Sequence, residues 1–185
     1  MFFPSEIGNW RCNLVLGELK SWDSLLSNRH ETKDIINPAE NNKVITKSAP
    51  NTVPDQIMLH GTVPPSGAPV TIHYRGGKPF PGTPGIEWRI QGDIGEIRLT
   101  SPSWSLNIGR PDTKIELFDV ETGEVEVVVP ERDQWDELPV PAQNIARMYE
   151  AFRKGEWFPD FEWAVKRHAM IEEMWRRYDV SQRTD

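Results

Sequence analysis

The sequence predicts an α+β fold, a mostly antiparallel, open-faced sheet with helices packed on one face. Three observations lead there. From Asp55 to Val129 the chain breaks into short segments of period-two alternation, joined by Gly, Asp and Pro turns with no helix between them. From Pro141 onward the apolar period changes to that of a helix. Sixteen Pro and thirteen Gly in 185 residues supply the turns that a sheet-rich chain needs. At about 150 residues per domain the length predicts one domain, 1–180, with a frayed tail at 181–185.

Taken in order, Glu6–Glu18 places Ile7, Trp10 and Leu14 at helical spacing, with Gly17 as its stop. A second short helix is expected over Ser21–Asn28, capped by Ser21. Asp34–Ile36 and Val44–Thr46 read as edge strands joined by a turn over Asn37–Asn42. Gln56–Val63 alternates Ile57, Leu59 and Gly61 against Met58, His60 and Thr62, and Val70–Arg75 alternates Val70, Ile72 and Tyr74 against Thr71, His73 and Arg75. Side chains of a strand point alternately to its two faces, so one face of each is buried. Gly76–Gly85 holds too much Gly and Pro to be anything but a loop. Further strands are predicted at Ile86–Gln91, Gly95–Thr100, Trp104–Ile108, Lys114–Asp119 and Glu124–Val129. A helix over Pro141–Lys154 carries Ile145, Met148, Tyr149 and Phe152 on one stripe. A second begins at Pro159–Asp160 and places Phe161, Ala164, Val165, His168, Ile171, Met174 and Trp175 together.

Composition narrows the function classes. The net charge of −7 and the lack of a basic cluster argue against a nucleic-acid surface. No apolar run is long enough to span a bilayer and the first twenty residues do not read as a leader, so the expected location is the cytoplasm. Cys12 is the only cysteine, which excludes an internal disulfide and a cysteine-rich metal site. The four histidines, His30, His60, His73 and His168, lack ligand spacing, so neither a metal nor a cofactor is expected. Phosphate-loop, dinucleotide-loop, nucleophile-elbow and zinc-protease motifs are absent.

Several phrases, in order, resemble a known family. LGELKSWDSLLSN, TVPDQIMLHGTV, PVTIHYRGG, GTPGIEWRIQGDIGEIRLTS and FEWAVKRHAMIEEMW are similar to the C-terminal domain of the glucose–fructose oxidoreductase/inositol dehydrogenase (Gfo/Idh/MocA) family. Its fungal, Gal80-related branch is the nearest in character, and the resemblance runs from about Ile7 to Arg177. It implies an open-faced sheet that binds substrate and forms dimers. In the family a separate Rossmann half holds NAD(P) and the catalytic lysine, and that half is expected to be missing here. Family dehydrogenases place a Gly-His-x-x-Asp phrase at the start of the first helix, with the His handling the substrate proton. Here the phrase reads Gly8-Asn9-Trp10-Arg11-Cys12, and the Asn9 amide does not titrate near neutral pH.

These readings select the candidate residues. Asn9, His73, Tyr74 and Arg75 are the expected catalytic donors. Trp10, His60, Trp88 and Trp104 are the expected substrate contacts, the competing role for the tryptophans being packing between helices and sheet. Three functions follow. The first is a cofactor-independent isomerase or cyclase, pericyclase-like, that holds one reactive conformer of a small apolar metabolite, as in fungal secondary metabolism. The second is a subunit or remnant of an NAD(P)-dependent oxidoreductase. The third is a non-catalytic, Gal80-like binding or regulatory module. A homodimer through the open sheet face is expected, with no nucleic-acid or membrane partner.

Overall fold

The computed structural model describes residues 15–77, 79–103 and 112–183. They form two compact units, one built from residues up to Gly77 together with Phe161 onward, the other from Lys78 to Asp160. The fold is α+β, with all strand pairs antiparallel.

In the first unit, β1 (Ser21–Ser27), β4 (Gln56–Val63) and β5 (Ala68–Arg75) form a three-stranded sheet in the order β1-β4-β5. A separate two-stranded ladder joins β2 (Thr32–Asn37) and β3 (Lys43–Pro50) through a short 3-10 turn at Pro38–Glu40. The long helix that closes this unit, Phe161–Arg183, packs along β1. Its Met174 is buried with Leu26 and Ile57, and Trp22, Tyr74 and Tyr178 pack against this cluster.

The helix expected at Ser21–Asn28 is instead strand β1. Trp22, Leu25 and Leu26 fit a helical stripe, but seven residues do not separate a period of 3.6 from one of two. Pairing decides between them: every residue from Ser21 to Ser27 has a partner on β4, from Ser21 opposite Thr62 to Ser27 opposite Gln56. Leu26 turns to the core and Leu25 to solvent. Trp22 also lies opposite Gly61, where an added Cβ would stand 2.4 Å from the Ser21 carbonyl oxygen, so the close approach of β1 to β4 requires glycine.

In the second unit, β6 (Ile86–Gln91), β7 (Gly95–Ser101), β8 (Lys114–Asp119) and β9 (Val125–Val127) form a four-stranded meander. Ile86, Trp88, Ile90, Leu99, Ile115 and Leu117 share one face by register. Arg98, Lys114 and Glu116 share the other, where Glu116 accepts from Arg98 at 2.8 Å and from Lys114 at 2.5 Å. A 3-10 turn at Gln134–Glu137, closed by a capping box from Asp133, leads into α1 (Val140–Lys154), and Gly155 ends that helix in the left-handed conformation. The helix of the first unit is α2. It runs through Arg183, past Ser181 where the sequence suggested a frayed tail. Of the expected first helix, Val15 and Leu16 are helical and the part before them lies outside the described residues. The strand expected at Trp104–Ile108 also lies outside them.

Candidate functional site

Strand geometry separates the predicted site residues into two groups. On β5, Tyr74 turns inward and packs against the Leu26–Ile57–Met174 cluster, while His73 and Arg75 point to the opposite, exposed face. The three expected donors therefore do not converge from their strand. Period two, which placed His73 and Arg75 outward, also places Tyr74 inward, because neighbours on a strand never share a face. Trp88 is half-buried on β6, opposite Leu99, in the second unit. Asn9, Trp10 and Trp104 lie outside the described residues.

What β1, β4 and β5 do bring together is the open face of their sheet. Three cross-strand rows define it: Asp23–His60–Thr71, Leu25–Met58–His73 and Ser27–Gln56–Arg75. Leu25 is 59% exposed and Met58 41% exposed, side by side across two strands, so an apolar pair sits at the centre of a polar frame. His60 lies diagonal to His73, within reach of one ligand or one partner surface. The frame carries charge at the β1 edge. Asp23 is held below the ordinary carboxylate range first by the Ser24 backbone N–H and then by Arg177, with His60 contributing across the strands. Arg177 donates to Asp23 Oδ1 at 2.6 Å and lies 4.5 Å above the centre of the Trp22 ring, so α2 grips the edge of the sheet and leaves its open face uncovered.

A second arrangement lies where the β2–β3 ladder leaves the sheet. Asp55 is buried and accepts from Arg29 N, Gln56 Nε2 and His30 Nδ1. Asn51 donates to the carbonyls of His30 and Val53, and Asn28 donates to that of Asn51. These bonds hold Asp55 below its ordinary range despite burial, and they clamp the ladder at its base. The pairing of His30 with Asp55 was not visible from spacing, since 25 residues separate the two.

The second unit has a groove of about 570 Å³ between residues 130–136 and Gln143, Asn144 and Arg147. Within its lining, Arg147 meets Asp133 and Asp136, each at 2.7 Å. Among the described residues no group of three or more His, Cys, Asp and Glu side chains is arranged to hold a metal ion. No helix among them is long and apolar enough to cross a membrane.

Comparison with known proteins agrees with this architecture. Residues 11–101 match the family model "Gal80p, C-terminal domain". Among solved structures, a super-repressor mutant of Gal80p from Saccharomyces cerevisiae matches with a TM-score of 0.69 at 19% identity, covering 90% of this chain and 44% of that one. The transcriptional regulator Gal80p from Kluyveromyces lactis matches with a TM-score of 0.64 at 18% identity, covering 86% and 40%. A second S. cerevisiae super-repressor mutant gives 0.61 at 17%, covering 90% and 44%. Among curated proteins none matches. This chain thus spans less than half the length of the Gal80p chains it matches. Over residues 11–101, just under half of the chain, it is similar to the C-terminal domain of Gal80p, the branch that its sequence phrases resemble.

Proposed function

We propose that the chain is a non-catalytic binding and regulatory module that docks a protein surface, a second copy of itself first, on the open face of β1-β4-β5. The observation that carries this reading is the pairing of exposed Leu25 and Met58 at the centre of a frame of Asp23, His60, His73 and Arg75. Adjacent apolar side chains inside a polar rim are the composition of a docking surface. The fold likeness to a transcriptional regulator supports the same class. The isomerase or cyclase reading on a small apolar metabolite gains no such support, because Tyr74 belongs to the core while His73 and Arg75 face away from it.

Cysteine labelling tests the proposal. In a Cys12→Ser background, Met58→Cys is expected to react with a maleimide at least about tenfold more slowly as the chain is raised from nanomolar to high micromolar concentration, as a buried interface centre would. Lys47→Cys, on the β2–β3 ladder, serves as the exposed control. A Met58→Cys rate independent of concentration would overturn the reading.

A further inference from the structure

The open face of β1-β4-β5 carries its own means of regulation, an inference that rests on the docking reading above. Register brings four ionisable side chains to that face: Asp23 from β1, His60 from β4, and His73 and Arg75 from β5. Asp23 is the only carboxylate in the three strands. The two histidines stand differently toward it. Asp23 lies directly opposite His60, and the Ser24 backbone N–H and Arg177 keep it charged, so a protonated His60 has a counter-charge beside it. His73 lies opposite Met58, with His60 on the diagonal and Arg75 two residues along the same side of β5. The whole width of β4 separates it from Asp23. The other histidines sit elsewhere, His30 on Asp55 at the base of the ladder and His168 on α2.

We propose that docking on the open face is gated by protons: the face takes its partner while His73 is neutral and releases it once His73 is charged. Placement carries the inference. His73 completes the row Leu25–Met58–His73, so a surface that covers the exposed apolar pair covers His73 with it. Met58 stands on the middle strand, and two copies stacked about a two-fold axis over it have two aligned arrangements. An axis along the strands lays His73 on Leu25 of the copy. An axis across them lays it on the copy's own His73. Neither arrangement brings Asp23 to it. A neutral imidazole enters such a contact at little cost, whereas an imidazolium loses its hydration there without gaining an opposite charge. The docked state therefore binds fewer protons than the separate chains, and association weakens as the pH falls. Histidine changes charge between about pH 5 and 8, which sets the window of the gate. His60 contributes less, because Asp23 offsets its charge within the same copy.

Sedimentation equilibrium of the whole chain at about pH 8 and about pH 5.5, at one ionic strength, tests the proposal. The association constant of the unmodified chain should fall by roughly tenfold or more at the lower pH, since each copy must give up a proton to dock. His73→Gln, which cannot take that proton, should associate at both pH values with most of the fall removed, and His60→Gln should keep most of it. Far-ultraviolet circular dichroism at the lower pH should match that at the higher, which separates release from unfolding. An unmodified chain that associates equally at both pH values, or a His73→Gln chain that keeps the whole fall, would overturn the gate and leave the docking reading standing. A chain monomeric at both would overturn the docking reading and the gate together.

Discussion

The two helices, α1 and α2, carry apolar stripes of the same period and meet different surroundings. Helix α2 sets Met174 at 2% exposure against Leu26 and Ile57, with Tyr178 beside it, and Arg177 grips the edge of β1 through Asp23 and the Trp22 ring. Helix α1 leaves its whole stripe in solvent and is anchored from its other side by Arg147 to Asp133 and Asp136. An apolar period therefore marks a face able to take a partner and does not say whether that partner lies within the same chain. Helix α2 found its partner in a sheet with one apolar face.

The sharpest way to break this comparison is to make the same deletion on both helices. Met174→Ala opens a cavity between α2 and the sheet and should cost about 2–5 kcal/mol in urea unfolding. Met148→Ala removes the same atoms from an exposed stripe and should change the stability of the isolated chain by no more than about 0.5 kcal/mol. Equal losses would show that the two stripes are covered alike.

A smaller effect comes from the strand that α2 covers. Gly61→Ala drives a Cβ to 2.4 Å from the Ser21 carbonyl oxygen and 3.0 Å from Trp22 Cβ. The resulting shift of β1 should cost about 1–3 kcal/mol. Gly92→Ala, in the second unit, would meet only the Gly95 oxygen at 3.5 Å and should fall within about 0.5 kcal/mol. An unchanged unfolding midpoint for Gly61→Ala would contradict the close strand approach.

The smallest effect is electrostatic. Glu173 is lowered from 4.5 to about 2 by Arg176 and then Arg177, and Glu150 is lowered from 4.5 to about 2 chiefly by Arg153. Both carboxyls titrate lower in the folded chain than when free, so their stabilisation is complete above about 4.5 and is lost as the pH falls toward about 2. These pairs lie at the surface, so the loss should be modest and should shrink with added salt. Protonating Glu173 frees Arg177, which also holds Asp23 and Trp22, so near-ultraviolet circular dichroism of Trp22 should respond. Glu173→Gln should remove that response and Glu150→Gln should leave it intact; the reverse would invert the comparison.

Much of the architecture was legible in the sequence. Gln56–Val63, Ile86–Gln91 and Lys114–Asp119 are strands with the predicted limits, because each alternates over six residues or more between clear turn signals. The two late helices were equally plain. Strand β1 was not, because Ser24 occupies an inward position where an apolar residue would have declared the period. The division of the strands into three sheets was not legible either, since pairing partners are set by contacts remote in sequence. At the candidate site, alternation correctly turned His60 and His73 outward. Grouping Tyr74 with His73 and Arg75 set nearness in sequence above that same alternation. Leu25 and Met58 were passed over as site residues, because an apolar side chain on a solvent face reads as noise until its cross-strand neighbour is known.

We propose the open face of β1-β4-β5 as a docking surface, and a docking surface should show itself as self-association. Sedimentation equilibrium of the unmodified chain beside Leu25→Glu/Met58→Glu, over the micromolar range, tests it most directly. The unmodified chain should associate, and the variant should lose one step of assembly with its far-ultraviolet circular dichroism unchanged. A chain that stays monomeric throughout, or a variant that assembles as the unmodified chain does, would contradict it.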